Sequence, residues 1–553
     1  MTKKVIPIGI EDYQDLVNNK YLYVDKTLLI KEIIDNGEKV LFLPRPRRFG
    51  KTLNLSMLRY FFDIKLDTKE LFKNSKLFQT KDSVKYYKYL NKYPVININL
   101  KGLEAKTYEE MIEKLKIKLS FISREYLYLL QEDILELDKD FIQRGINNEL
   151  TVEEVTSYLK RLSIILQKYY GQKCIMLIDE YDNIVSYAYE QGYYEQVITL
   201  YRNLFGEALK TNEALEIGVM TGILRISKEN LFSGLNNLTV RTILEEDYAT
   251  YFGFTEDEVE CLLQNVQMED KFPEVKQWYN GYNFSNNIIY NPWSVLNFIK
   301  NKGKAEAYWL NTSSNIMLYN ILKSQKIDGE VFEEVKELIK GNTVYKTINT
   351  AIVYSKVNEV DNLWTILLLS GYLKIVNKVG REFYELAIPN EEVKEIYQKT
   401  IINYFKEQYA INTSIFEQIH LGLITNNLKM IKTNIDKVLQ NMSVRDKRED
   451  FYHGVMLALL STATNHQVLS NVESGKSYLD LCLYPIHNSE LGIIIELKRA
   501  KESKDIDNLI KIGVNQIEAQ EYETLLKSSQ AQEIRKYIMV FYDKEVVIKQ
   551  IKK

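Results

Sequence analysis

The 553-residue chain has little of what marks several common protein classes. Its three cysteines, Cys174, Cys261 and Cys482, lie far apart. They form neither a zinc spacing nor a disulfide framework, and a reducing, cytoplasmic setting is expected. The four histidines, His420, His453, His466 and His487, are scattered, which argues against a His-rich metal centre and against a Ser-His-Asp hydrolase. A formal net charge of −3 gives no global field toward nucleic acid or an acidic membrane, so any such contact must come from a local patch. The longest apolar run, Leu363–Leu373, is too short to span a bilayer, and MTKKVIPIGIEDY lacks the apolar segment of a secretory leader; no membrane partner is expected. Low-complexity segments and fixed-period repeats are missing too. What remains is an ordinary globular composition, 45% hydrophobic, at a length that calls for three or four domains.

Arginine is sparse beside lysine, yet Arg45, Arg47 and Arg48 crowd one short loop. They fall within Leu41–Leu58, LFLPRPRRFGKTLNLSML, where an apolar strand breaks at Pro44 and Pro46 and passes through Gly50-Lys51-Thr52 into a periodic helix. Strand, tight loop, GKT and helix is the layout of a phosphate-binding P-loop. Backbone N–H groups at the helix N-terminus point at the anion, and the helix dipole favours negative charge there. Lys51 is placed to reach the β- and γ-phosphates of ATP and the Thr52 hydroxyl to ligate Mg²⁺. The first glycine of GxxxxGK[ST] is replaced by Arg45, where a side chain can obstruct the approach to phosphate. The bland alternative, a basic loop before a core helix, sits poorly with the arginine cluster, because Arg is the better fork for phosphate oxygens.

Tyr93–Leu100 reads as a second strand, and capping boxes at Thr107 and Thr151 open long helices. Cys174–Asp182, CIMLIDEYD, is a continuous apolar strand that suits the centre of a parallel sheet and ends in two carboxylates, where open α/β sheets bind ligands. In this Walker B arrangement Asp179 holds Mg²⁺ through water and Glu180 polarises the attacking water. The plainer reading is an acidic cap on a core strand. Leu215–Ile223 is a further strand, with Thr221 at its tip placed to sense the γ-phosphate and Arg225 just beyond it placed to reach nucleotide phosphate. The aromatic, Asn-rich stretches Gln277–Phe284 and Tyr290–Phe298 read as a packed lid or loop rather than a base-stacking platform.

Residues 5–300 resemble the AAA-ATPase-like family of bacterial proteins, akin to STAND and archaeal-type P-loop ATPases. The marks are IPIGIEDY, YVDKT, RPRRFGKT, LIDEYD, TGILRISKENLFSGLNNL, YFGFTEDEV, YNGYNF and YNPWSVLNF. The resemblance implies ATP as ligand, contributed to by Arg47, Arg48, Gly50, Lys51, Thr52, Asp179, Thr221 and Arg225. It also allows a homo-oligomer, since ATPases of this kind often complete their sites across subunits.

Leu363–Val393 reads as an apolar helix, a hairpin around Lys378-Val379-Gly380 and a capped helix, a winged-helix-like order. Its helix is apolar where a DNA-reading helix should be basic, so a structural connector over 301–448 is the expectation. The last segment, 449–553, runs helix, three strands, helix, strand. Asp480 lies in its second strand, and Glu496-Leu497-Lys498 ends its third, with Glu496 and Lys498 on one face by period 2. In that αβββαβ order the D…ExK pattern resembles the PD-(D/E)xK nuclease superfamily. The resemblance implies Mg²⁺, or Mn²⁺ in its place, on Asp480 and Glu496, with the Leu497 carbonyl and Glu473 as further ligands. Lys498 would position the water and stabilise developing charge, Gln516 would stand behind them, and His453 reads as a packing residue. Relatives commonly show ESGxGRxD; here Ser477-Tyr478 replace the GR before Leu479-Asp480. The plain alternative is a surface salt bridge such as Asp480 with Lys498.

The expected fold is thus α/β: a P-loop parallel-sheet ATPase domain at 1–300, a mainly helical, winged-helix-like middle at 301–448, and a restriction-endonuclease-like domain at 449–553. The expected function is ATP binding and hydrolysis coupled to metal-dependent cleavage of nucleic acid, DNA before RNA. Two rivals stand beside it: a nucleotide-dependent switch that binds a partner through an inactive nuclease fold, and an ATP-driven remodeller of nucleoprotein.

Overall fold

The apolar run at 40–44 has no polar face to turn to water, and neither does the one at 174–179. Each is buried at every position, as befits strands covered on both sides of a sheet. The computed structural model describes residues 5–224, 237–309, 318, 330–350, 360–408, 413–441, 449–460, 466–474, 477–485, 490–519, 522–523, 526 and 531–551. The chain divides into two units, 1–311 with 345–393, and 312–344 with 394–553, so the stretch 301–448 is shared between them.

In the first unit, β1 (Val40–Pro44), β2 (Val95–Asn99), β3 (Cys174–Asp179), β4 (Leu215–Gly222) and β5 (Leu238–Val240) form a parallel sheet in the order β2–β3–β4–β1–β5. The phosphate-loop strand β1 and the acidic strand β3 are therefore not neighbours; β4 lies between them. The register sets Leu43 beside Thr221, and Asn99 beside Asp179. Thr221, Asp179 and Asn99 thus arrive together at the carboxyl edge of the sheet, beside the loop that leaves β1. Helices Tyr108–Arg124 and Val152–Tyr170 are capped by Thr107 and Thr151, the second with both halves of a capping box. A small antiparallel sheet follows, β6 (Phe254–Thr255), β7 (Tyr282–Phe284) and β8 (Asn287–Tyr290), in the order β6–β8–β7. The hairpin expected around 378–380 is present as β10 (Lys374–Lys378) and β11 (Phe383–Ala387), and β9 (Val344–Thr347) joins it as a third strand.

The second unit carries helices through its first half and then a mixed sheet in sequence order: β12 (His466–Ser474), β13 (Ser477–Pro485), β14 (Leu491–Arg499), β15 (Glu533–Tyr542) and β16 (Glu545–Ile551). Only β14 and β15 run parallel, joined by the crossover helix Ile506–Ala519. The expected αβββαβ order is present, with β16 as an added edge. Buried apolar clusters form around Leu479, Cys482, Ile494 and Ile517, and around Ala500, Ile538 and Val540. Among the described residues no helix is long and apolar enough to cross a membrane.

Candidate functional site

The phosphate loop begins where β1 ends. The helix Lys51–Phe62 starts after Gly50, whose φ of 82° lies in the region glycine adopts freely, and Arg48 is left-handed as well at φ 70°. Lys51 is buried and its Nζ donates to the carbonyls of Arg45 and Pro46, 3.0 Å each. Burial pulls its pKa down, while Asp179, Asp182 and Glu180 act to raise it. The Thr52 hydroxyl donates to Asp179 at 2.7 Å. The Thr221 hydroxyl donates to the other carboxylate oxygen. Asn99 Nδ2 donates to the first at 2.9 Å. Three donors from three elements thus fix one nearly inaccessible carboxylate.

Glu180 follows in a left-handed conformation, φ 51°, half-buried beside it. Desolvation and the neighbouring Asp179 push its pKa up. A carboxylate moved toward neutral pH is a better acceptor for a water proton than an ordinary one. Asp182, buried, takes the backbone N–H groups of Ile223 and Leu224 at 2.8 and 2.9 Å and so shapes the turn after Thr221. Thr52 and Asp179 present only oxygen, the donor set a hard divalent cation takes.

Arg47 is half-buried, and Arg48 is exposed with its guanidinium 4.3 Å from the centre of the Trp293 ring. Arg225 lies outside the described residues. Arg45, counted among the phosphate forks on its sequence, is turned the other way: it is fully buried beneath the loop and bonded to backbone carbonyls.

Several other motifs of the first unit are spent on packing and capping, some of it against this loop. In YVDKT, Asp25 accepts from the amide and hydroxyl of Thr27 and from the Lys76 amide, and Thr27 is the N-cap of the following helix. Lys26 donates to the Thr250 carbonyl at 2.7 Å and to Glu258 at 2.6 Å. In YFGFTEDEV, Gly253 N–H reaches the Phe49 carbonyl at 3.1 Å and the Tyr251 carbonyl takes Asn54 at 2.9 Å. In YNPWSVLNF, Asn291 caps its helix, and Ser294 donates to the fully buried Glu392. The aromatic stretch is packed, as expected: Tyr282 and Phe284 sit on Phe49, 5.0 and 5.4 Å between ring centres.

In the second unit the ladder between β13 and β14 ends at Leu481 with Ile495. One residue further, the Asp480 carboxylate takes the Leu497 amide at 2.8 Å. Glu496 is fully buried and accepts from Lys498 Nζ at 2.7 Å. Lys498 therefore pairs with Glu496 across the period-2 face, not with Asp480. His453, on the helix Glu449–Leu460, bonds the Asp480 backbone carbonyl at 3.0 Å through Nε2 and so steadies that strand. Gly513 lets the crossover helix close on the sheet: a Cβ there would sit 1.8 Å from Ile538 Cδ1 and 3.7 Å from Glu496 Cγ. Gln516 lies one turn on, 3.5 Å from the Tyr522 hydroxyl. Leu497 is buried between the two charged residues. Glu473 is in β12, opposite Tyr478, and its side chain lies outside the described residues. Asp480, Glu496 and Lys498 fit a hard cation by the chemistry of their oxygens and their cationic neighbour.

Asn99, Asp182 and Gly253 were missed in the sequence. Asn99 had a signal, being the polar residue on which the strand YPVININL ends; the other two acquire their roles through distant partners.

Residues 7–232 match the model of a family described as predicted AAA-ATPase, and residues 447–551 match the PD-(D/E)XK nuclease superfamily. An Azotobacter chroococcum mcd 1 protein described as "Uncharacterized protein in vnfD 5'region" is 26% identical over 442 residues, which span 78% of this chain and 77% of that protein. Both segments matched are those whose motifs carried the resemblance, although the N-terminal match ends well before residue 300.

Proposed function

We propose that this protein binds and hydrolyses ATP at the loop after β1 and cleaves nucleic-acid phosphodiesters, DNA foremost, at Asp480, Glu496 and Lys498, with nucleotide state gating cleavage. The observation that carries the first half is the Asp179 carboxylate held by Thr52, Thr221 and Asn99, with Lys51 and Glu180 on either side. Lys51 exchanges its two loop carbonyls for phosphate oxygens. Thr52 and Asp179 offer oxygens to a divalent cation, directly and through water. Glu180 accepts the proton of the attacking water, and Thr221 reads the γ-phosphate through its bond to Asp179. At the second site a bound Mg²⁺ or Mn²⁺ supplies Lewis acidity and a water of lowered pKa. Asp480 and Glu496 hold it. Lys498, paired with Glu496, would face the developing negative charge.

Cleavage of plasmid and oligonucleotides is measured with Mg²⁺ or Mn²⁺, with and without ATP, for wild type, Asp480→Ala and Lys51→Ala. The reading expects metal-dependent cleavage lost in Asp480→Ala and altered in Lys51→Ala at saturating ATP. Unchanged cleavage in Lys51→Ala refutes the coupling alone. Tight ATP binding with no cleavage of any DNA or RNA favours the nucleotide switch, which the replacement of GR by Ser477-Tyr478 supports. Nucleic-acid-stimulated ATPase without cleavage favours the remodeller.

A further inference from the structure

The loop lacks the glycine that opens a standard P-loop, and what stands there is not neutral filler. The Arg45 guanidinium donates to three backbone carbonyls: Pro44 at 2.8 Å, Arg241 at 2.6 Å and Tyr248 at 3.1 Å. It lies against the rings of Phe252 and Phe284, 5.1 and 5.7 Å from their centres. Its backbone is equally engaged. The amide donates to the Gly222 carbonyl at 2.9 Å, next to Thr221, and the carbonyl accepts from Lys51 Nζ at 3.0 Å. One residue therefore joins the tip of β4, the segment 241–252 and the phosphate-binding lysine. The left-handed turns that a glycine would make easy fall instead at Arg48 and Gly50.

We propose that Arg45 is a positioning residue for nucleotide: braced on three carbonyls beneath the loop, it holds the loop backbone and Lys51 in the phosphate-accepting arrangement and sets nucleotide affinity in place of the missing glycine. Two effects act together. A planar fork with several donors fixes the loop relative to 241–252, which a single-point ammonium cannot do. A guanidinium held out of water beneath the loop also adds attraction for an anion above it without touching it, and low local dielectric strengthens that attraction. Removing the side chain takes a donor from three backbone carbonyls, two of those bonds fully buried.

The inference rests on the reading of this loop as an ATP site, and the test separates the two. Binding of a fluorescent ATP analogue and thermal unfolding without nucleotide are measured for the full chain as wild type, Arg45→Met, Arg45→Gly and Arg45→Lys. Wild-type binding is expected. Arg45→Met is expected to weaken it about tenfold or more. Arg45→Gly, which restores the standard P-loop sequence, is expected to weaken it as well, and Arg45→Lys to recover part of the loss. A folded Arg45→Met or Arg45→Gly that binds within twofold of wild type, its melting temperature alone lowered, overturns the inference and makes Arg45 a core residue only. Should neither fold, Arg45→Lys decides: affinity equal to wild type overturns the inference, and a loss of about threefold or more upholds it. Absence of nucleotide binding by wild type instead refutes the ATP site itself.

Discussion

Gly253 is where the small antiparallel sheet meets the phosphate loop, and replacing it by alanine tests the packing argument most directly. Its φ is +88°, a backbone region that costs an L-residue about 1–2 kcal/mol. An added Cβ would lie 2.2 Å from Ile289 Cγ2, 2.9 Å from Phe49 Cδ1 and 3.0 Å from the Tyr290 carbonyl oxygen. The last is backbone and cannot rotate away, so an overpacking cost of about 1–3 kcal/mol adds to the first. Loss of glycine's freedom in the unfolded chain returns about 0.4–1 kcal/mol. The net is a destabilisation of about 1–5 kcal/mol. Gly171 is the control: its φ is +67°, yet nothing lies within 4 Å of a Cβ there, so alanine costs only the backbone term. Calorimetry of wild type, Gly171→Ala and Gly253→Ala should show the transition of the first unit lowered in both and clearly more in Gly253→Ala, at about 2 °C per kcal/mol for a unit of this size. Because the Gly253 amide holds the Phe49 carbonyl, nucleotide affinity should fall in Gly253→Ala and stay unchanged in Gly171→Ala. A Gly253→Ala transition no lower than that of Gly171→Ala would refute the reasoning.

The histidine pair of the second unit, His466 buried and His420 half-buried, predicts an acid limb in stability. His466 Nε2–H donates to the Leu491 carbonyl at 2.7 Å, so its Nδ1 is the acceptor facing His420 Nε2 at 3.2 Å, and the arrangement holds with both rings neutral. Burial and the neighbouring His466 lower the His420 pKa from 6.5 to about 4, and burial lowers that of His466. The folded values lie below the unfolded ones, so this stability is fully present above pH 6.5 and is lost as pH falls toward 4, by about 1–2 kcal/mol after allowance for partial exposure. Urea unfolding followed from pH 7 to pH 4.5 should show that slope in wild type and a flatter one in His420→Phe. Asn99→Ala removes one donor from the Asp179 carboxylate, a charge-assisted bond worth about 1.5–3 kcal/mol. ATPase kcat/KM should fall about tenfold or more, and Asn99→Asp, which sets a second carboxylate against Asp179, should fall further at neutral pH.

What could be read in the chain was what its own neighbours decide. β1 and β3 were legible because a strand buried on both faces must be apolar throughout. Glu496 and Lys498 were legible because the pleat puts alternate residues on one face. The last strand, EVVIKQI, was not: as an edge of the sheet it keeps charged and polar residues among its apolar ones, and no local signal separates it from a surface tail. Asn99 became a partner of Asp179 only through the β2–β3 register. Arg45 was read both as part of a phosphate-facing arginine cluster and as an obstruction at the glycine position; the carbonyls that turn it inward belong to residues about two hundred positions away.

The same distinction explains why so many dense motifs do so little chemistry. YVDKT, YFGFTEDEV and YNPWSVLNF each carry polar groups at fixed offsets, which in a sequence looks like a reactive site. In the fold, Asp25, Lys26, Glu258 and the Asn291 side-chain oxygen are engaged by backbone groups and neighbouring side chains. A loop that has lost its first glycine lacks the geometry that glycine confers. It must be held from outside, by Gly253 on Phe49, by Asn54 on Tyr251 and by Arg45 on Arg241 and Tyr248. Motif density around the phosphate loop then measures the bracing the loop requires, and the reacting groups of the proposed ATP site are the few polar residues that converge on Asp179 from different elements.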